Sequence, residues 1–211
     1  MQKLREWGYK LFNLVARLPG GARLLGWTPL RTLRNRVYLS YVRGMPDRVY
    51  MNETIIPALL ESGFSRVLSV GCAEYTQEVP GRFEARGIEC WTADISPEEA
   101  QWGHPERHLV CDAAGLAEQL PASDFDAILF SGVMGYGVNA EHMPPIMEGF
   151  HRLLRPGGLL VAGWNVGLAV DPLTLECVTG HFEHAPALSM PARKEVERST
   201  HVFDLFLRRD G

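Results

Sequence analysis

The chain has 211 residues, 46% of them hydrophobic, and a formal net charge of −4. This suits one α/β domain with an added segment, and the apolar content excludes a disordered or fibrous chain. No stretch approaches the roughly 20 apolar residues of a membrane span and no signal-type leader opens the chain, so a cytoplasmic location is expected. Cys72, Cys90, Cys111 and Cys177 lack C-x-x-C spacing, which argues against a disulfide framework or a zinc site. Charge is divided unequally: residues 1–44 hold nine basic side chains against the single acid Glu6, a balance of +8, and the remainder carries −12. Such a division suits a basic arm that meets an anionic surface, an acidic substrate or the acidic body of its own domain.

Leu4, Trp7, Leu11, Leu14, Val15 and Leu18 recur at helical steps, which predicts an amphipathic helix ended by Pro19-Gly20-Gly21. Three readings of its apolar stripe stay open: packing on its own domain, rest on a membrane surface through residues 1–44, or a lid over a substrate pocket. Residues 22–50 continue the arm as helix and turn. Residues 1–50 are therefore set apart as a basic helical extension, and 51–211 as the main domain. Asn52 to Leu60 predicts a helix closed by Gly63.

From Arg66 to Asp94 the pattern reads strand, turn, helix, strand: an apolar run ending on Gly71, and a second run, Cys90 to Ala93, ending on an acid. This is one nucleotide-binding half-unit, with Asp94 standing 23 positions after Gly71 and placed to accept from ribose hydroxyls. Ser96-Pro97-Glu98-Glu99 reads as a helix start. Arg107 to Asp112 reads as a third strand, Gly115 to Leu120 as a short crossover and Asp126 to Phe130 as a buried strand that empties into Ser131-Gly132. A helix from about Asn139 to Leu154, a fifth strand from Leu159 to Ala162, a helix over Asp171 to Val178, an extended segment near His184 to Ser189 and a last strand over His201 to Leu207 complete the order. Strand and helix alternate five times, which predicts a doubly wound, mostly parallel sheet with helices on both faces.

V-L-S-V-G-C at 67–72, C-D-A at 111–113, F-D-A-I-L-F-S-G at 125–132 and L-L-R-P-G-G-L-L-V-A-G at 153–163 resemble class I S-adenosylmethionine-dependent methyltransferases. The resemblance implies seven strands in the order 3-2-1-4-5-7-6 with the last antiparallel, and S-adenosylmethionine as cofactor. It implies that Gly71, Cys72 and Ala73 border the methionine part, that Asp94 holds the ribose with Ile95 against the adenine, that Asp112 with Ala113 accepts from the adenine amino group, and that Ser131 and Gly132 lie beside the sulfonium. The chain departs from the pattern at Ser69, where an acid is usual, and at Ala73 and Tyr75, where glycines repeat; Pro80-Gly81 is also expected to delay or break the following helix. Glu74 is expected to replace the missing acid as partner of the methionine ammonium group.

Methyl transfer needs alignment of nucleophile, methyl and sulfur, and sometimes a base. Candidates at the strand ends are Tyr136, His142 and Asn165, with His181 and His184 in the tail. Ser131 and Asn165 stand where metal-dependent members carry acids, so no metal is expected. Met143-Pro144-Pro145-Ile146 lacks the polar leader and aromatic of base-amino methylating enzymes, so no nucleic-acid substrate is expected. The expected activity is methyl transfer to an oxygen or nitrogen of a small, anionic or lipid-linked metabolite. Two alternatives stand beside it: attack on a non-methyl carbon with release of methylthioadenosine, and a degenerate, non-catalytic interaction module with Tyr75 in the cofactor site. Nothing in the sequence specifies the oligomeric state.

Overall fold

The computed structural model describes residues 2–18 and 28–210. Among the described residues the helices in chain order are α1 (Gln2–Ala16), α2 (Thr28–Arg43), α3 (Pro46–Tyr50), α4 (Ile56–Leu60), α5 (Val79–Glu84), α6 (Leu116–Gln119), α7 (Met143–Leu153) and α8 (Glu176–Thr179). A π-helical turn, Met51–Ile55, joins α3 to α4 in one continuous rod. The strands are β1 (Arg66–Val70), β2 (Glu89–Asp94), β3 (His108–Val110), β4 (Phe125–Ser131), β5 (Leu154–Asn165), β6 (Phe182–His184), β7 (Arg193–Glu195) and β8 (His201–Arg208). They form one sheet in the order β3-β2-β1-β4-β5-β8-β6, with β7 also paired to β8. The first five strands are parallel and β8 runs antiparallel to β5, β6 and β7.

Side chains alternate across the strands and bury two apolar layers. Leu68, Ile128, Phe130, Leu160 and Phe206 face α7, where Phe150 meets Phe130 edge-on with ring centroids 5.1 Å apart. Val67, Leu129, Val161, Phe203 and Leu205 face the rod through Met51, Ile55, Ile56 and Leu59, with Phe83 of α5. Because parallel strands point one way, all five carboxyl ends open on the same edge of the sheet.

The expected sheet is observed with one strand added: β6 and β7 divide the outer edge of β8, pairing its C-terminal and N-terminal halves respectively. The helix expected after Ser96 is absent; bonds from Glu99 to Ser96 and from Gly103 to Ala100 make only a 3-10 turn, Glu99–Trp102. The chain there turns tightly back onto the sheet, and a β-carbon at Gly103 would overlap His108. The helix expected over Asp171 to Val178 is split into a 3-10 turn, Pro172–Thr174, and α8, because Leu175 between them is extended. β5 begins earlier than expected, at Leu154, and Arg155 to Gly158 bulge between the Phe125 and Ala127 pairings. Pro80 opens α5 at its first turn and delays the helix as its sequence position implies. Pro19-Gly20-Gly21, read as the stop of α1, lies outside the described residues.

The antiparallel end of the sheet is tied by Asp204, which is fully buried. Its carboxylate accepts from Trp164 Nε1 at 2.8 Å and from Arg193 Nε and Nη2 at 2.7 and 2.9 Å, and His184 Nε2 lies 3.0 Å away. Arg193 also forks onto Asp171 at 2.6 and 2.8 Å and holds that carboxyl below its usual range. Removing one partner of a buried charge pair strands the others. Asp204→Ala is therefore expected to lower unfolding free energy by about 3–5 kcal/mol, read from urea denaturation; an unchanged midpoint would show that the network contributes little.

Candidate active site

β1 ends at Val70 and the chain turns at Gly71, whose φ of +94° lies in the region open to glycine. A β-carbon there would stand 2.7 Å from Val133 Cγ2, so any side chain would close the turn. Asp94, at the end of β2, accepts from Cys72 N at 2.7 Å through Oδ2 and from Ser96 N at 2.8 Å through Oδ1. One carboxylate thus clamps the turns after β1 and β2, and each oxygen keeps lone-pair capacity for a hydroxyl donor. Asp112 caps the next turn, accepting from Ala114 N at 2.9 Å. Gly71, Asp94, Ile95, Asp112, Ala113 and His142 line a cavity of about 280 Å³. Ile95, 67% exposed, offers a flat apolar wall beside two carboxylates, the chemistry of a site for a heterocycle bearing a hydroxylated sugar.

A second cavity, of about 900 Å³, lies between α2, α3 and the ends of β1, β4, β5 and β8. Cys72, Ala73 and Gly132 form one side, and Asn165 to Leu168 with Ser199 to His201 form the other. Tyr136 lines both cavities. Arg48 reaches over Gly132: its Nη2 donates to Tyr75 Oη at 3.2 Å, its guanidinium stands 4.4 Å from the centre of the Tyr75 ring, and its Nε lies 3.3 Å from Asp47 Oδ2. Gly132 has φ +77°, and Arg48 Nη2 is 3.4 Å from where its β-carbon would stand. A cation from the arm side and a tyrosine from the first turn therefore roof the end of β4.

Beneath that roof, Asp47 Oδ1, Ser131 Oγ and His201 Nε2 are buried and have no hydrogen-bond partner among the described residues. Asp47 is 5% and His201 2% exposed. Burial pushes the His201 imidazole down to about 4, while Asp47 pulls it up and Arg48 pushes it further down. The ring is neutral near pH 7. Asn165 Oδ1 lies 3.3 Å from Nδ1 and also accepts from Thr200 Oγ1 at 3.1 Å, which assigns the proton to Nδ1 and leaves a bare lone pair on Nε2. Gly163 makes the space: a β-carbon there would overlap Ser131 Oγ and come within 2.8 Å of His201 Nε2.

Of the residues read from the sequence, Cys72, Ala73, Gly132, Tyr136 and Asn165 meet in the larger cavity; Gly71, Asp94, Ile95, Asp112, Ala113 and His142 meet in the smaller. Ser131 lies just beneath, in the buried cluster. His142 Nδ1 accepts from Asn139 N at 3.1 Å, at the start of the helical segment before α7. Glu74 opens the 3-10 turn Glu74–Thr76 and is on the wall of neither cavity; Glu99 lines the larger one together with Cys72 and Ala73. The Cys72 thiol is pushed up to about 12, chiefly by burial and then by Asp94 and Glu99, and stays protonated. His184 is committed to Asp204, and His181 packs on His151 with ring centroids 4.9 Å apart. Among the described residues, no group of three His, Cys, Asp or Glu side chains is arranged to hold a metal ion. Sequence reasoning missed Asp47, Arg48 and His201. The signal for the first two was a charged pair directly after Met45-Pro46, at a helix start; His201 had none beyond a polar residue opening a mostly apolar strand.

A family model described as a methyltransferase domain matches residues 68–162. Among solved structures, the chain is similar to a TehB-like SAM-dependent methyltransferase from Corynebacterium glutamicum, at 23% identity over 73% of this chain and 88% of that one, with a TM-score of 0.54. It is also similar to the N-methyltransferase NodS from Bradyrhizobium japonicum, at 16% identity over 80% and 99% with a TM-score of 0.56. A third is the 1,6-didemethyltoxoflavin-N1-methyltransferase of Burkholderia thailandensis, solved with that compound and S-adenosylhomocysteine, at 20% identity over 85% and 88% with a TM-score of 0.54. No curated protein matches the chain in sequence. The matched domain and the strand order give the chain the fold of these methyltransferases. Residues 68–162 match a methyltransferase domain, the fold is that of S-adenosylmethionine-dependent methyltransferases, and S-adenosylmethionine is the cofactor these similarities support.

His201 also leaves a signature in stability. Its folded value of about 4 lies below the unfolded value near 6.5, so the unfolded chain binds more protons between them. Stability from this group is complete above pH 6.5 and is lost as pH falls toward 4, by about 3 kcal/mol in all. In urea titrations, His201→Gln is expected to flatten the stability slope in that window; an unchanged slope would place the acid sensitivity elsewhere.

Proposed function

We propose that the larger cavity takes a small-molecule acceptor and that the methyl group goes to an oxygen or nitrogen of it, with His201 accepting the proton that leaves. The observation that carries this reading is the neutral His201 ring, its Nε2 unpartnered beside Ser131 Oγ at the end of β4 and Asp47 close enough to favour the charged ring. An acceptor hydroxyl or protonated amine must shed a proton to be methylated, and a neutral imidazole backed by a carboxylate suits that task. Asn165 acts as the group that orients the ring.

When bound, S-adenosylmethionine supplies an electrophilic methyl group on a sulfonium. In this reading Gly71 and Gly132 keep the strand ends open, Asp94 accepts from ribose hydroxyls, Ile95 packs on adenine and Asp112 accepts from its amino group. Arg48 pairs with the methionine carboxylate, and Glu99 takes the ammonium group in place of Glu74. Among the described residues, Arg48 is the one Lys or Arg on the wall of the larger cavity, which also carries Asp47 and Glu99. With Arg48 so engaged, the wall supports a neutral or basic acceptor over the anionic one expected from the arm's charge. Val166 and Leu168, 58% and 46% exposed at that wall, support an acceptor with an apolar body.

Incubation with methyl-labelled S-adenosylmethionine and separated cell fractions tests the reading. Label is expected in the small-molecule fraction, and His201→Gln is expected to cut transfer by about 100-fold or more with S-adenosylhomocysteine binding unchanged. Label confined to nucleic acid or protein, or full activity of the variant, would overturn it. Calorimetry with Asp94→Ala is expected to show S-adenosylhomocysteine binding weakened by about 1.5–3 kcal/mol, from loss of charge-assisted bonds and of the clamp on two turns; undiminished binding would remove Asp94 from the cofactor site.

A further inference from the structure

α1 has two apolar faces. One packs on α2: Tyr9 stacks on Tyr41 with centroids 4.9 Å apart and planes 6° from parallel, and a β-carbon at Gly8 would stand 3.0 Å from Val37 Cγ1. The other carries Trp7, Leu11, Leu14 and, just past the helix end, Leu18, which are 74%, 59%, 60% and 55% exposed. Steps of four, three and four place these residues in one continuous stripe. Four large apolar side chains in water are an unfavourable arrangement that a partner surface would relieve.

Charge selects the partner. The arm's balance of +8 lies on the same segment as the stripe, with Lys10, Arg17, Arg34 and Arg36 exposed. A second copy would bring an equally basic arm against it, and like charges disfavour that pairing. The body that could neutralise the arm lies on the α2 side, where Arg43 already bonds Glu78 at 2.8 Å. Among the described residues, no helix is long and apolar enough to cross a membrane, so an apolar face on α1 is suited to lie along a surface. We propose that α1 docks this enzyme on an anionic phospholipid surface, with Trp7, Leu11, Leu14 and Leu18 at the boundary of headgroups and acyl chains and the arm's basic residues toward the phosphates.

The test uses the full chain in sedimentation with vesicles of phosphatidylcholine alone and of phosphatidylcholine mixed with phosphatidylglycerol. Binding is expected to the mixed vesicles, to fall as salt rises, and to drop by about tenfold or more in the triple variant Trp7→Ser, Leu11→Ser, Leu14→Ser. Lys10→Gln with Arg17→Gln is expected to weaken anionic binding and leave the weaker binding to phosphatidylcholine unchanged. S-adenosylhomocysteine affinity of every variant checks folding and keeps this question separate from catalysis. Three outcomes would overturn the proposal: no binding to either vesicle, equal binding by the triple variant, or a concentration-dependent dimer that the triple variant dissolves. The last would make a second copy the occupant.

Discussion

Asp204 is a carboxylate with no access to water in a strand flanked on both sides, and such a group persists only where donors surround it. Trp164 of β5, Arg193 of β7 and His184 of β6 supply them. This one charge therefore joins three strands to β8 and sets where β8 begins. His201 opens β8 opposite Asn165, so the depth and orientation of the imidazole follow from the network three residues away. The antiparallel end of the sheet is electrostatically specified where the parallel half is held by apolar layers.

At the parallel half a different constraint prevails. Parallel strands leave their C-terminal amides pointing into one crevice, and something must satisfy them. Asp94 does so for Cys72 and Ser96, and Asp112 for Ala114. The same carboxylates line the smaller cavity, so the groups that hold the loops are those that would meet a sugar and a base. The arm completes the second cavity. Asp47 and Arg48 stand on the first turn of α3, whose continuation through Met51, Ile55 and Leu59 is pinned to the sheet, so the pair is carried into the site by packing some turns away.

The parallel half of the fold was legible because each strand is a short apolar run ending on glycine or an acid, a local pattern with one structural solution. One wall of the smaller cavity followed from it, since Gly71, Asp94, Ile95, Asp112 and Ala113 sit at or just after the ends of those strands. What was not legible depends on contacts distant in sequence. The pairing of β7 rests on Arg193 reaching Asp171 and Asp204, and three residues of strand carry no periodicity. That Glu99 and not Glu74 lines the larger cavity depends on how the turn Ala73 to Thr76 folds: Thr76 Oγ1 bridges Ala73 N and O at 3.0 and 2.9 Å. The cluster of Asp47, Ser131 and His201 brings together three separate parts of the chain and depends on an absent side chain at Gly163. No spacing along the chain encodes such a meeting.

In the proposed site two cavities, one for adenosine and one for the acceptor, meet near Gly71 and Gly132. A crystal structure of the protein with S-adenosylhomocysteine tests this most directly. Adenine is expected against Ile95, ribose hydroxyls on Asp94, the methionine carboxylate on Arg48 and the sulfur facing the cavity that holds His201. An adenosine group bound elsewhere, or a Tyr75 ring occupying the place of the methionine chain, would contradict it.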